Sequence, residues 1–142
     1  MKRNRHYIIL KGSIQQEELR IMNIYAPNVG AAKYINQLIT KVKTYLDNNT
    51  LILGDFNTVL SVNDRSSKHN ISKETRALND TLEQMDFTDI YRTLHPNATE
   101  YTFFSSAHGT FSRKDHILGH KSGLSRYQKL GIVPCIFSSF ET

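Results

Sequence analysis

The sequence predicts a mixed α/β sandwich folded as one domain over residues 1–142. Three observations predict it. Paired runs with strand character stand near both ends of the chain, and a stripe of apolar residues at helical spacing lies between them. A short, wholly apolar run, TLIL at 50–53, has the character of a strand covered on both faces. Strands alternating with helices build layered α/β domains. No repeat, low-complexity tract or linker divides the chain.

Taken in order, RHYIILKG (5–12) reads as a first strand and EELRIMNIYAP (17–27) as a second that stops at Pro27, with GSIQQE as the hairpin connection. In the second, Leu19, Ile21, Asn23 and Tyr25 share one face, while Arg20, Met22 and Ile24 share the other. From Ala31 the period changes. Tyr34, Ile35, Leu38, Ile39, Val42, Tyr45 and Leu46 recur at three and four, an amphipathic helix that ends in the turn-forming run Asp47–Asn49. After TLIL, residues 61–73 are polar and loop-like, and a helix is expected over Lys73–Met85. FTDIYRTLHP follows, with Pro96 as a stop. EYTFFSS and TFSRKDHILG read as two further strands joined through AHG. The tail LGIVPCIFSSFET is apolar, but Pro134 interrupts it and its type stays open.

Hydrophobic residues make up 39% and charged residues 22%, a globular composition rather than a disordered one. Lys and Arg number 18 against 13 Asp and Glu, a formal charge of +5. A basic domain of this size suits a polyanionic partner, nucleic acid first, although spare surface lysines explain such a surplus equally well. Cys135 is the single cysteine, so there is no disulfide partner within the chain and a reducing compartment is expected. The apolar run Tyr7–Leu10 is too short for a secretory signal, and no stretch approaches a membrane span. An intracellular location, nuclear or cytoplasmic, with no membrane partner, is the expectation.

The stretch TLILGDFNT concentrates the chemistry. Ligands gather where strands of a layered α/β domain end, and Asp55 and Asn57 stand at such an end. On an extended backbone residues two apart point the same way, which sets a carboxylate beside a carboxamide. Gly54 permits an unusual backbone just before them. An Asx turn accounts for the same tripeptide. Tyr25 and Asn28, in IYAPN, follow the second strand; Tyr25 also fits an ordinary core aromatic. Asp115 interrupts a strand-like run and needs an ionic partner or an exposed face. On a strand, His116 and His120 would lie ~13 Å apart, too far to share a metal. A phosphate-cradling GxxxxGK[ST] loop is absent.

IYAPN, GDFNT, YTFFS and SRKDHILG, in that order and spacing, resemble the endonuclease/exonuclease/phosphatase superfamily. Within it, ELRIMNIYAPN and TDIYRTLHPNATEYTFFS are similar to the endonuclease domain of mammalian LINE-type retrotransposons. The similarity runs over about 5–129 and leaves 130–142 as a divergent tail. The resemblance implies a magnesium-dependent DNA endonuclease that nicks its target by phosphodiester hydrolysis. It implies that Asp55 protonates the leaving oxygen or orients the nucleophile, and that Asn57 hydrogen-bonds the water or scissile phosphate. Tyr25 matches a phosphate-contacting tyrosine, with Asn28 supporting its loop. Arg65, Thr102 and Ser112 match DNA-side positions, and Asp115 matches an aspartate that orients a catalytic histidine.

The departures are as specific as the matches. The family pattern places a metal-binding glutamate ahead of the first strand read here and a histidine after the last; Glu17 and Glu18 fall in the hairpin, and no histidine follows His120. The expectation is therefore a partial sandwich lacking the first strands and the last strand. It would have weak metal binding, an Asp115 without its histidine, and activity mostly lost, since such residues act as a set. An uncovered sheet edge and apolar face would favour marginal stability or association. The alternative expectation is a catalytically inactive fragment that binds nucleic acid without sequence preference.

Overall fold

The computed structural model describes residues 2–3, 7–14, 16–61, 64, 70–94, 103–105, 110–112 and 115–130. Eight strands and four α-helices follow along these residues. β1 (Lys2–Arg3), β2 (Tyr7–Ile14) and β3 (Glu17–Tyr25) precede α1 (Ala31–Val42), and β4 (Thr50–Asp55) leads to α2 (Lys73–Gln84). Then come β5 (Phe87–Asp89), α3 (Ile90–Leu94), β6 (Phe103–Ser105), β7 (Thr110–Ser112), β8 (Asp115–His120) and α4 (Leu124–Leu130). Six strands form one mixed sheet in the order β1-β2-β3-β4-β8-β5, and β6 and β7 pair as a separate hairpin.

The β2–β3 hairpin is tighter than GSIQQE suggested. Ile14 pairs with Glu17, so the strands run almost to the turn, and Gln16 takes φ 69 to close it. β3 and β4 are parallel, joined over α1, which packs its Ile35, Leu38, Ile39 and Val42 stripe inward. The expected helix over Lys73–Met85 forms as α2, one residue shorter. Ser72 caps it, its hydroxyl accepting the Thr75 amide at 3.1 Å. The run TFSRKDHILG is two strands rather than one: β7 ends at Ser112 in the hairpin, and β8 starts at Asp115 between β4 and β5.

TLIL is covered on both faces, as its composition predicts. Ile52 joins Met22, Ile24, Leu118 and the α1 and α2 side chains on one side, and Leu51 joins Leu19, Ile90, Ile117 and Tyr127 on the other. β4 is thus the fixed axis of the sheet. FTDIYRTL, untyped by pattern, splits because Phe87 reaches the first core and Ile90 and Tyr91 reach the second. No helix among the described residues is long and apolar enough to cross a membrane.

Candidate active site at the β3–β4–β8 end

Register builds the site. Tyr25 stands opposite Asp55 across the parallel β3–β4 pair, and Asp55 opposite Asp115 across the antiparallel β4–β8 pair. Residues in register share a face, so the three side chains form a row at one sheet end. They lie on the face that carries Leu53 and Ile117, beyond the apolar core. Tyr25 is 64% exposed, which removes its reading as a core aromatic: the buried residues next to it on β3 are Met22 and Ile24, on the opposite face. Its phenol stands at the open margin of the row.

Gly54 sets the angle at which β4 leaves the sheet. Its φ is +129, and a Cβ there would sit 2.2 Å from the Ile24 carbonyl oxygen. Only glycine lets β3 and β4 close at that point. Beyond it the chain turns tightly. Asp55 Oδ1 accepts the Asn57 amide at 2.9 Å, and Asn57 takes φ 51, in the left-handed region. This is the Asx turn the tripeptide predicts. Asn57 Nδ2 donates to the Ala26 carbonyl at 2.6 Å, and the Ala26 amide donates to the Asp55 carbonyl at 2.9 Å. The two loops that follow β3 and β4 are thereby stitched together. One Asp55 oxygen and the Asn57 carboxamide oxygen are left for a ligand.

Asn28 lies exposed on the loop between β3 and α1. Asp115 opens β8 half-buried and is engaged by neighbouring groups, as an acidic side chain inside a strand requires. Ser112 closes β7 opposite Phe103. Arg65, Thr102 and residues 131–142 lie outside the described residues. Glu17 and Glu18 begin β3, at the end opposite the row. A cleft of about 450 Å³ lined by Lys11, Glu18, Arg20 and Asp47 also lies at that far end.

Behind the row is a polar cluster that sequence reasoning missed. Asp64, Asp89 and His116 bring ligand atoms within 4.8 Å of one another, close enough to share a metal ion. Their own contacts compete with that use. Asp64 Oδ1 accepts from Arg92 at 2.7 Å, and its Oδ2 accepts the Leu60 and Ser61 amides at 3.0 and 3.1 Å. His116 Nδ1 stands 3.4 Å from Asp89 Oδ2. The signal in the sequence was the adjacency of Asp115 and His116, which on a strand sends one side chain to each face.

The row offers a different donor set. Two carboxylates side by side, with an amide oxygen nearby, are hard oxygen ligands suited to magnesium, which takes one or two carboxylates and keeps several waters.

No protein-family model matches the chain. Solved structures do. The endonuclease domain of TRAS1, a telomere-specific non-LTR retrotransposon, superposes with a TM-score of 0.64 at 13% identity over 84% of this chain and 52% of that one. An AP endonuclease from Archaeoglobus fulgidus gives 0.58 at 19% identity, covering 78% and 51%. The 3′ phosphatase NExo from Neisseria, bound to a product DNA hairpin, gives 0.59 at 22% identity, covering 82% and 53%. The chain spans about half the length of each of these structures. Over that half the chain shares the fold of these structures, a mixed sheet with helices against it.

Proposed function

We propose that this chain carries the phosphate-handling part of a magnesium-dependent DNA endonuclease of the LINE retrotransposon type. The observation that carries the reading is the row Tyr25–Asp55–Asp115, with Asn57 held beside it by a left-handed turn. Phosphodiester hydrolysis gathers negative charge on the phosphoryl oxygens. A phenol and a carboxamide fixed in advance can stabilise that charge with no reorganisation at the moment of reaction. Asp55, with one oxygen locked by the Asn57 amide, presents the other for proton transfer or for the metal. Asp55 and Asp115 would hold the magnesium ion, which when bound supplies Lewis-acid polarisation of a phosphoryl oxygen. The net charge of +5 serves backbone binding without sequence readout. Arg65, Thr102 and Ser112 remain proposed DNA contacts on the strength of the resemblance.

Residues 1–142 taken alone contain neither a glutamate at the row's end of β3 nor a histidine after His120. Catalytic sets lose orders of magnitude when one member is missing. The expected behaviour of these residues by themselves is therefore salt-dependent DNA binding with negligible turnover. Supercoiled-plasmid nicking with magnesium, run beside Asp55→Ala, tests this. Nicking that disappears in Asp55→Ala would overturn the binding-only reading of the segment. Absence of any salt-dependent DNA affinity would overturn the nucleic-acid reading altogether.

A further inference from the structure

The geometry points to His116 as the positioning residue of the Asn57 turn, an inference that rests on the proposed phosphodiester site and deepens it. Asp115 and His116 are neighbours in β8 and face opposite sides of the sheet. Asp115 joins the row, while His116 stands opposite Gly54 and is fully buried. From there it reaches the residues immediately before and after Asn57. Its ring packs against Phe56 with centroids 5.3 Å apart and planes tilted by 57°. Its Nε2 lies 2.8 Å from the Thr58 carbonyl oxygen. A carbonyl can only accept, so Nε2 carries the hydrogen and donates.

That bracket matters because of what it holds. Asn57 sits at φ 51, a conformation that a residue with a side chain keeps only when its surroundings fix it. The turn's own bonds, to Asp55 and Ala26, hold it from the row side. His116 holds it from beneath. The far side of the same ring faces Asp89, whose Oδ1 accepts the Arg92 amide at 3.1 Å, and Arg92 in turn reaches Asp64. Asp64 takes the amides of Leu60 and Ser61, so the chain from Thr58 to Ser61 is tied at both ends to one buried polar cluster. The cluster's role is to hold the segment that aims Asn57. A bound metal ion is not part of that role.

The test uses the 142-residue chain with two substitutions. His116→Phe keeps a ring against Phe56 and removes the donor to Thr58. His116→Gln keeps an amide N–H at about the reach of Nε2. Two readouts are taken: the protection and chemical shift of the Asn57 side-chain amide by NMR, and magnesium-dependent affinity for a short DNA duplex. Freeing the turn disperses Asn57 among conformers that do not face the phosphate, so His116→Phe is expected to weaken that affinity by about tenfold. It should also leave the Asn57 amide unprotected, while His116→Gln stays within about twofold of the parent. An Asn57 amide equally protected in His116→Phe and the parent would overturn the inference. Should His116→Phe fail to fold, His116→Asn, whose amide is too short to reach Thr58, replaces it; equal Asn57 protection in the Asn and Gln variants would overturn it as well. A zinc- or manganese-induced rise in melting temperature that His116→Gln abolishes would also overturn it, by making the ring a metal ligand. If even the parent shows no DNA affinity, the functional reading fails while the NMR comparison still decides the role of His116.

Discussion

At the scale of single residues, the turn after β4 is over-determined, and each determinant predicts its own failure. Gly54 has a backbone conformation that side chains avoid and no space for a Cβ against the Ile24 carbonyl. Gly54→Ala is expected to cost about 2–4 kcal/mol, seen as a lower denaturant midpoint, since strain and a backbone clash act together. Asn57→Ala removes the link to Ala26 and is expected to cost about 1–2 kcal/mol, with a larger proportional loss of magnesium-dependent DNA binding. Much of this was legible in the sequence. GDFNT declared a turn, and the spacing of Asp55 and Asn57 declared polar groups at a strand end. The sequence did not show that Asp55 would stand in register with both Tyr25 and Asp115. Register is a property of three strands far apart in the chain, and the alternation inside any one of them leaves it free. Tyr25 was ambiguous for a related reason: β3 carries apolar residues on both faces, and only the packing of the two cores shows that its last residue lies beyond them.

At the scale of elements, the helices on the two faces are held by different devices. Ser72 caps α2, and Ser72→Ala is expected to lower stability by about 1 kcal/mol without altering DNA affinity. On the other face, Tyr127 of α4 is fully buried, and its hydroxyl donates to the Asn48 carbonyl at 3.1 Å. Burial pushes the Tyr127 phenol above its ordinary value, and the Arg126 guanidinium beside it only partly opposes that. With the folded-state value raised, the stabilisation is complete below the unfolded value near 10 and is lost as pH rises through the folded value. Melting temperature is thus expected to fall above about pH 10, and Tyr127→Phe to flatten that fall. α4 itself was not legible. LSRYQKL has too few apolar positions for a helical stripe, and among the described side chains it is Tyr127, inserted beneath the sheet near Gly119 and Gly123, and Leu124 that pack it there. β5 and α3 were equally hidden, because eight residues that switch from one core to the other keep no single period.

At the scale of the whole molecule, exposed apolar surface among the described residues is scattered. Leu10, Tyr25, Val29 and Tyr45 are the large apolar side chains exposed among the described residues, and they form no single strand face. In the proposed function the basic surplus acts at this scale, through the phosphate backbone. Affinity for DNA is expected to fall by about tenfold or more between 50 and 200 mM salt, with little difference between sequences. Charge alone does not make a site, however; the proposed site is the row. The Asp55 carboxylate repels a phosphate until a cation sits beside it, and then the pair attracts it. The most direct measurement is the affinity for a short DNA duplex with and without magnesium at constant ionic strength, in the parent chain and in Asp55→Asn. One charge–charge contact near 4 Å at a wet surface is worth about 1 kcal/mol, so magnesium should tighten binding by about fivefold in the parent. It should change Asp55→Asn hardly at all. An equal magnesium response in the two proteins would contradict the assignment of Asp55 and its row as the phosphate-handling site.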